Sequence, residues 1–176
     1  MDEKSHDSKE EIKETIVELK PEEKELPKKV KKSLAQKLVA YCRKKSPWII
    51  HLSGGGCNGC SIEIVACLTP KYDIERFGMV SKELPRHADI LLIEGPMTTK
   101  LKQRVLDLYH QTPNPKVVVA VGSCPLSKGV YHDCYNVHGP LNKFIPVDVY
   151  IPGCPPKPEA LIHGIVQALA RFDEVA

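Results

Sequence analysis

Four cysteines in this chain are placed so that their chemistry can combine. Cys57 and Cys60 form a C-x-x-C pair in "SGGGCNGCS" (53–61), behind three consecutive glycines. Cys124 stands alone in "VGSCPLSKG", and Cys154 stands alone in "IPGCPPKPE". A C-x-x-C pair is compatible with a redox disulfide, half a zinc site or half an iron–sulfur site. A redox pair would leave Cys124 and Cys154 without a role. Structural zinc is usually held by two such knuckles, and only one is present here. Four thiolates also suit a 4Fe–4S cluster. The single cysteines are flanked by Gly122, Gly129 and Gly153 and by Pro125, Pro152, Pro155 and Pro156. Glycine lets backbone N–H groups approach a bulky anionic centre, and proline fixes a loop and stops a sheet from continuing. Spacing therefore favours iron–sulfur over zinc, and zinc over a redox pair.

Other reactive side chains are weighed against this set. Cys42 and Cys67 fall in helical patterns and are read as small buried hydrophobes. Cys134 lies in "YHDCYNVHG" with His132, Asp133 and His138, as a plain loop cysteine or as part of a second metal site. Glu63 follows Cys60 by three residues and is read in the first turn of a helix. There it either complements the helix dipole or handles protons beside the cysteines. Glu94 ends an apolar run ahead of Gly95-Pro96 and is read as a solvated acid at a strand end. Lys100, Lys128 and Lys157 are read as solvated lysines near the cysteine loops. No phosphate-binding P-loop is present.

The elements that must position these residues begin at residue 47. Strand-like runs are "WIIHLS" (48–53), "DIERFGMV" (73–80), "ADILLIEG" (88–95), "KVVVAVG" (116–122) and "VDVYIPG" (147–153). The third and fourth are nearly continuous apolar runs, as expected of central parallel strands buried on both faces. Helical patterns lie between and after them at 61–69, 99–111 and 156–172, the last with Pro156 and Pro158 suited to a first turn. The alternation predicts an α/β domain with a doubly wound, flavodoxin-like parallel sheet. In such sheets ligands gather outside the carboxyl ends of the strands, so the loops after the first, fourth and fifth strands can bring all four cysteines together.

Composition bounds the rest. The chain has 176 residues, 42% hydrophobic and 27% charged, which are ordinary proportions for a globular domain. A net charge of +3 and few aromatic residues argue against a nucleic-acid partner. There is no apolar run of about 18 residues and no apolar signal segment at the acidic N-terminus, so the chain is expected to be cytoplasmic. Thiols are kept reduced there, which again favours metal ligands over disulfides. Residues 1–33 alternate charges densely and are read as an N-terminal extension, disordered or partner-bound, ahead of the domain at 34–176. Residues 34–45, "LAQKLVAYCRKK", read as an amphipathic helix whose apolar side (Leu34, Leu38, Val39, Tyr41, Cys42) packs on its own domain or lies against a membrane-embedded partner.

The motifs "GGCNGCSIEI", "IEGPMTTK", "VGSCPLSKGV" and "YIPGCPPKPEALIHGI", in this order, resemble the small, 4Fe–4S-carrying electron-transfer subunit of membrane-bound, energy-converting nickel–iron hydrogenases. That family is shared with the 20-kDa-type subunit of respiratory complex I, and the resemblance covers roughly residues 47–172. It implies a flavodoxin-like fold and one 4Fe–4S cluster on Cys57, Cys60, Cys124 and Cys154. It implies an electron-relay subunit of an oxidoreductase complex rather than a chain that makes or breaks substrate bonds itself. The implied partners are a nickel–iron-type large subunit and a ferredoxin-like multi-cluster subunit. A membrane-embedded subunit would be met through residues 34–45, giving a hetero-oligomer at the cytoplasmic face of the membrane. Complex I subunits carry two adjacent cysteines at the first motif, whereas this chain has the hydrogenase-type spacing Cys57-Asn58-Gly59-Cys60. Related sulfur- or polysulfide-reducing and quinone-reducing complexes remain alternatives, and a structural four-cysteine zinc site is a distant one.

Overall fold

The computed structural model describes residues 38, 41–43 and 45–175. The expected extension at 1–33 lies outside the described residues. Five parallel strands form the central sheet: β1 (Trp48–Ser53), β2 (Val80–Ser81), β3 (Ile90–Glu94), β5 (Val117–Val121) and β7 (Val149–Ile151). Their order is β2-β1-β3-β5-β7. Counting only these five in chain order, that is 2-1-3-4-5, the doubly wound order of flavodoxin-like folds. The two remaining strands, β4 (Met97–Thr98) and β6 (Val137–Gly139), pair antiparallel as a small separate ribbon.

Side chains alternate across the sheet and build one core on each face. Ile49, Ile90, Leu92, Val117 and Val119 meet helix α1 (Gly59–Cys67) and the terminal helix α4 (Pro158–Val175) through Ile64, Leu161, Ile165 and Phe172. Ile50, Leu52, Leu91, Ile93 and Val118 meet helix α2 (Thr99–Gln111) through Val105, Leu106 and Tyr109. Every residue of β3 and β5 is buried. This is why both strands read as unbroken apolar runs: helices cover both faces. Burying each large aliphatic side chain contributes about 1.5–3 kcal/mol, so these two layers fix the sheet register.

Three expectations change. The run 73–80 forms a 3₁₀ turn at Ile74–Phe77, and only Val80–Ser81 pairs, with Trp48 and Ile49. Gly78 ends that turn at φ +83°, where a Cβ would meet the Lys45 carbonyl, so the chain cannot run straight as a strand. The last helix starts at Pro158 rather than Pro156, which is buried in the preceding loop. The short helix α3 (Ser123–Ser127) has no counterpart in the helical patterns of the sequence.

Within 34–45, residues 38, 41–43 and 45 are helical. The described residues of its apolar side, Leu38, Tyr41 and Cys42, are exposed rather than packed on the domain, and Cys42 is not a core cysteine. The segment is held instead through Arg43, which pairs with buried Asp89 and lies over the Phe172 ring, 5.9 Å from its centroid.

Candidate metal centre

The sheet delivers the four cysteines from three strand ends. After β1 the chain passes Gly54–Gly56 and Cys57 and turns at Asn58 (φ 62°) into α1, whose first turn holds Cys60. After β5, Gly122 leads into α3, which carries Cys124. After β7, Gly153 precedes Cys154. Backbone bonds stitch these loops together. Gly122 N donates to Ile151 O at 2.8 Å, and Ser123 N to Gly153 O at 2.8 Å, which joins the β5 and β7 ends. Gly54 N donates to Glu94 O at 2.8 Å, and Thr98 Oγ1 to Gly54 O at 2.9 Å, which joins the β1 and β3 ends.

Glycine backbone lies against the sulfurs, most tightly at Gly122. A Cβ on Gly122 (φ +87°) would lie 2.8 Å from Cys60 Sγ, and one on Gly129 would lie 3.3 Å from Cys124 Sγ. A Cβ on Gly59 would lie 3.5 Å from Cys57 Sγ. The loops thus form a cradle that backbone, not side chains, lines. The donor set is four thiols, with Cys124 buried, Cys60 half-buried, and Cys57 and Cys154 exposed at the rim.

The four thiols also act on one another. Burial pushes the Cys60 thiol up to about 12, helped by the negative charge of Glu94 and then of Cys124, Cys57 and Cys154. Burial also raises Cys124, followed by Cys154, Cys57 and Glu94. The charges of the other cysteines reach Cys60 and Cys124, in keeping with loops that open toward one another. A cation bound there would have to displace the protons of the raised Cys60 and Cys124 thiols. The Tyr131 phenol, at the rim, is raised by lost hydration and then by Cys57, Cys124, Cys134 and Cys154.

The carboxylate at the site is Glu94, and it is not the solvated strand-end acid that the sequence suggests. It is 3% exposed. Its Oε1 accepts from Ser61 Oγ and lies 3.4 Å from His51 Nε2. Burial pulls its pKa up, yet the neighbouring His51 and the hydrogen bond from Ser61 outweigh that and leave it below the usual carboxylate value. Glu63 is half-buried in the second turn of α1, because the helix begins at Gly59, and its charge acts on Cys67 instead. Only the period-2 pattern of β3 hints at Glu94, by placing it on the same face as Ile90 and Leu92.

Cys67 is buried as expected, with its Sγ 3.7 Å from Pro158 O. Cys134 is exposed, and beside it His132 pairs with Asp133 at 2.8 Å on the surface. Among the described residues, no three His, Cys, Asp or Glu side chains close up to the spacing of a single metal ion. Lys100 and Lys157 are exposed, and Lys128 donates to His132 O at 3.4 Å.

Comparison with known proteins bears on the same residues. A family model described as the NADH ubiquinone oxidoreductase 20 Kd subunit matches residues 57–168, which include all four cysteines. The probable membrane-bound hydrogenase subunit mbhJ of Pyrococcus furiosus is 49% identical over 144 residues, 81% of this chain and 86% of that protein. A subunit of the NADH-quinone oxidoreductase of Carboxydothermus hydrogenoformans is 45% identical over 144 residues, 81% of this chain and 85% of that protein. Among solved structures, a chain of the membrane-bound sulfane sulfur reductase, an archaeal respiratory membrane complex, superimposes with a TM-score of 0.68. It is 44% identical, covering 77% of this chain and 75% of that one.

Proposed function

The chain belongs to the NADH ubiquinone oxidoreductase 20 Kd subunit family, whose members are subunits of oxidoreductase complexes, and we propose that Cys57, Cys60, Cys124 and Cys154 hold one 4Fe–4S cluster in it. The observation that carries this reading is the convergence of four thiols from three strand ends, with glycine backbone against the sulfurs. A tetrahedral zinc ion, with Zn–S near 2.3 Å, would draw its sulfurs to within about 4 Å of one another. Two of the four thiols stand alone on separate loops rather than in a second C-x-x-C knuckle of the kind structural zinc sites use, which supports a polynuclear centre.

When bound, such a cluster takes up and releases one electron at a time. The protein's own residues supply the rest. Cys124 and the cores beneath it keep water from the inner side. Cys57 and Cys154 leave the outer side open to a partner. In this reading the chain relays electrons between a nickel–iron-type large subunit and a ferredoxin-like subunit of a membrane-bound, hydrogenase-type complex. No described helix is long and apolar enough to cross a membrane. The exposed Leu38, Tyr41 and Cys42 would then face a membrane-embedded subunit at the cytoplasmic face. A second reading is the same relay in a sulfur-reducing complex, favoured by the 44% identity to the sulfane sulfur reductase chain. The large subunit that co-purifies separates the two: two C-x-x-C pairs indicate nickel–iron, and their loss indicates other chemistry.

The test of the cluster is chemical. The purified complex should be brown, with four irons and four acid-labile sulfides assignable to this chain. Cys124→Ala and Cys154→Ala should each lose that cluster, and Cys42→Ala should keep it. A colourless wild-type chain holding one zinc ion would sink the reading.

A further inference from the structure

We propose that Glu94 is a positioning residue for the four-thiolate site: through Ser61 it holds Cys60 in place, and its fixed negative charge lowers the reduction potential of the centre bound there. The inference rests on the cluster reading above.

Glu94 closes β3 directly beneath the cysteine loops, and its backbone oxygen anchors Gly54 at the start of the first loop. Its Oε1 is bonded to Ser61, the residue after Cys60. Its Oε2 is buried and, among the described residues, has no hydrogen-bond partner. A buried carboxylate with one oxygen left unpaired is costly to keep, and its charge is poorly screened. The groups around it come from four elements. β1 contributes His51 and Ser53, α1 contributes Ser61 and Cys60, α3 contributes Cys124, and β5 contributes the sheet partner Val121, which is apolar. His51 is the one basic group among them. Its Nε2 is buried and, like Glu94 Oε2, has no hydrogen-bond partner among the described residues. The negative charge of Glu94 is felt at both Cys60 and Cys124.

Anchoring Ser61 does not by itself require a charge, because a glutamine oxygen would accept the same hydrogen bond. What glutamate adds is a fixed negative charge beside the place where an electron arrives. That charge disfavours the reduced state, so the potential falls. At an effective dielectric of about 20, a unit charge within about 12 Å changes electron affinity tenfold or more.

The test is a redox titration of the intact complex, followed by electron paramagnetic resonance. The signal of this centre is identified as the one missing from the Cys124→Ala complex. Glu94→Gln keeps the shape and the Ser61 bond but removes the charge. It should raise electron affinity about tenfold or more, a positive shift of at least 59 mV for one electron. Glu94→Asp, which keeps the charge, should shift the potential much less. A Glu94→Gln complex with full iron content and unchanged potential overturns the proposal. If Glu94→Gln fails to assemble, Glu94→Leu decides, because it removes the charge and leaves no buried polar group in need of a partner; an unchanged potential in that complex overturns the proposal. A wild-type chain without iron would instead show that the cluster reading had failed, and this inference would fall with it.

Discussion

Replacing Gly122 with alanine separates two physical demands that meet at one residue. Gly122 sits at φ +87° and ψ 171°, a region almost reserved for glycine. An alanine there carries about 1–3 kcal/mol of backbone strain. That strain acts on the fold whether or not the site is loaded. The new Cβ would also stand 2.8 Å from Cys60 Sγ, with Gly153 O at 3.4 Å and Pro156 Cδ at 3.9 Å behind it. In the empty site Cys60 can turn its sulfur away. Once the sulfur is committed to a ligand it cannot, so an overpacking cost of about 1–3 kcal/mol falls on loading alone. Each 1.4 kcal/mol is a factor of ten, so the affinity for the bound centre should drop about five- to 150-fold. The control is Gly139→Ala. Gly139 also has positive φ (+127°), but its Cβ would meet only Lys143, at 3.5 Å. Both variants should therefore lower the thermal midpoint, by about 2–4 °C per kcal/mol for a chain of this size. Only Gly122→Ala should lose iron and sulfide, and only it should release iron faster to a chelator. A Gly122→Ala complex with wild-type iron content and release rate would refute the reasoning, because the sulfur would then not be fixed against that backbone.

Two further outcomes test the fold around the site. Burial, followed by Glu63 and Glu159, pushes the Cys67 thiol up to about 11, from an ordinary 9.0. The folded state keeps a proton that the unfolded chain releases first, so this contribution to stability is intact below about pH 9 and fades as pH rises toward 11. Unfolding midpoints measured from pH 8 to 11 should fall less steeply for Cys67→Ala than for wild type, and equal slopes would show that Cys67 is not the group responsible. Leu161 is completely buried between α4 and the sheet. Leu161→Ala should cost about 2–5 kcal/mol in denaturant unfolding, and a loss below 1 kcal/mol would mean that the helix is not seated as described.

The parts of the fold that burial writes locally are legible in the sequence. β3 and β5 read correctly because strands covered on both faces need apolar residues at every position. Helix α2 reads to its residue bounds because its 3.6-residue pattern sets a buried stripe (Val105, Leu106, Tyr109) against an exposed one. The edge strand reads too long. Apolar residues at 74, 77, 79 and 80 look like a strand, but Gly78 caps a 3₁₀ turn at φ +83°, where a Cβ would meet the Lys45 carbonyl. The apolar side of residues 34–45 is visible as apolar, yet nothing local says whether it meets the domain or faces outward.

By itself the sequence determined which four cysteines stand at strand ends and that glycine accompanies them, because residue type and loop position are local facts. Tertiary structure alone decided that those ends meet. Parallel pairing of β1, β5 and β7 within one sheet brings the Cys57, Cys124 and Cys154 loops to the same edge. It likewise decided which acid is buried at that edge. In one dimension Glu63 is the stronger candidate, and Glu94 reads as a solvated acid at a strand end. The register that sets Ser53 beside Glu94, with α1 laid over that face, buries one and leaves the other half-exposed a turn along the helix. Register is a property of the whole sheet, so no stretch of chain around either glutamate could have specified it.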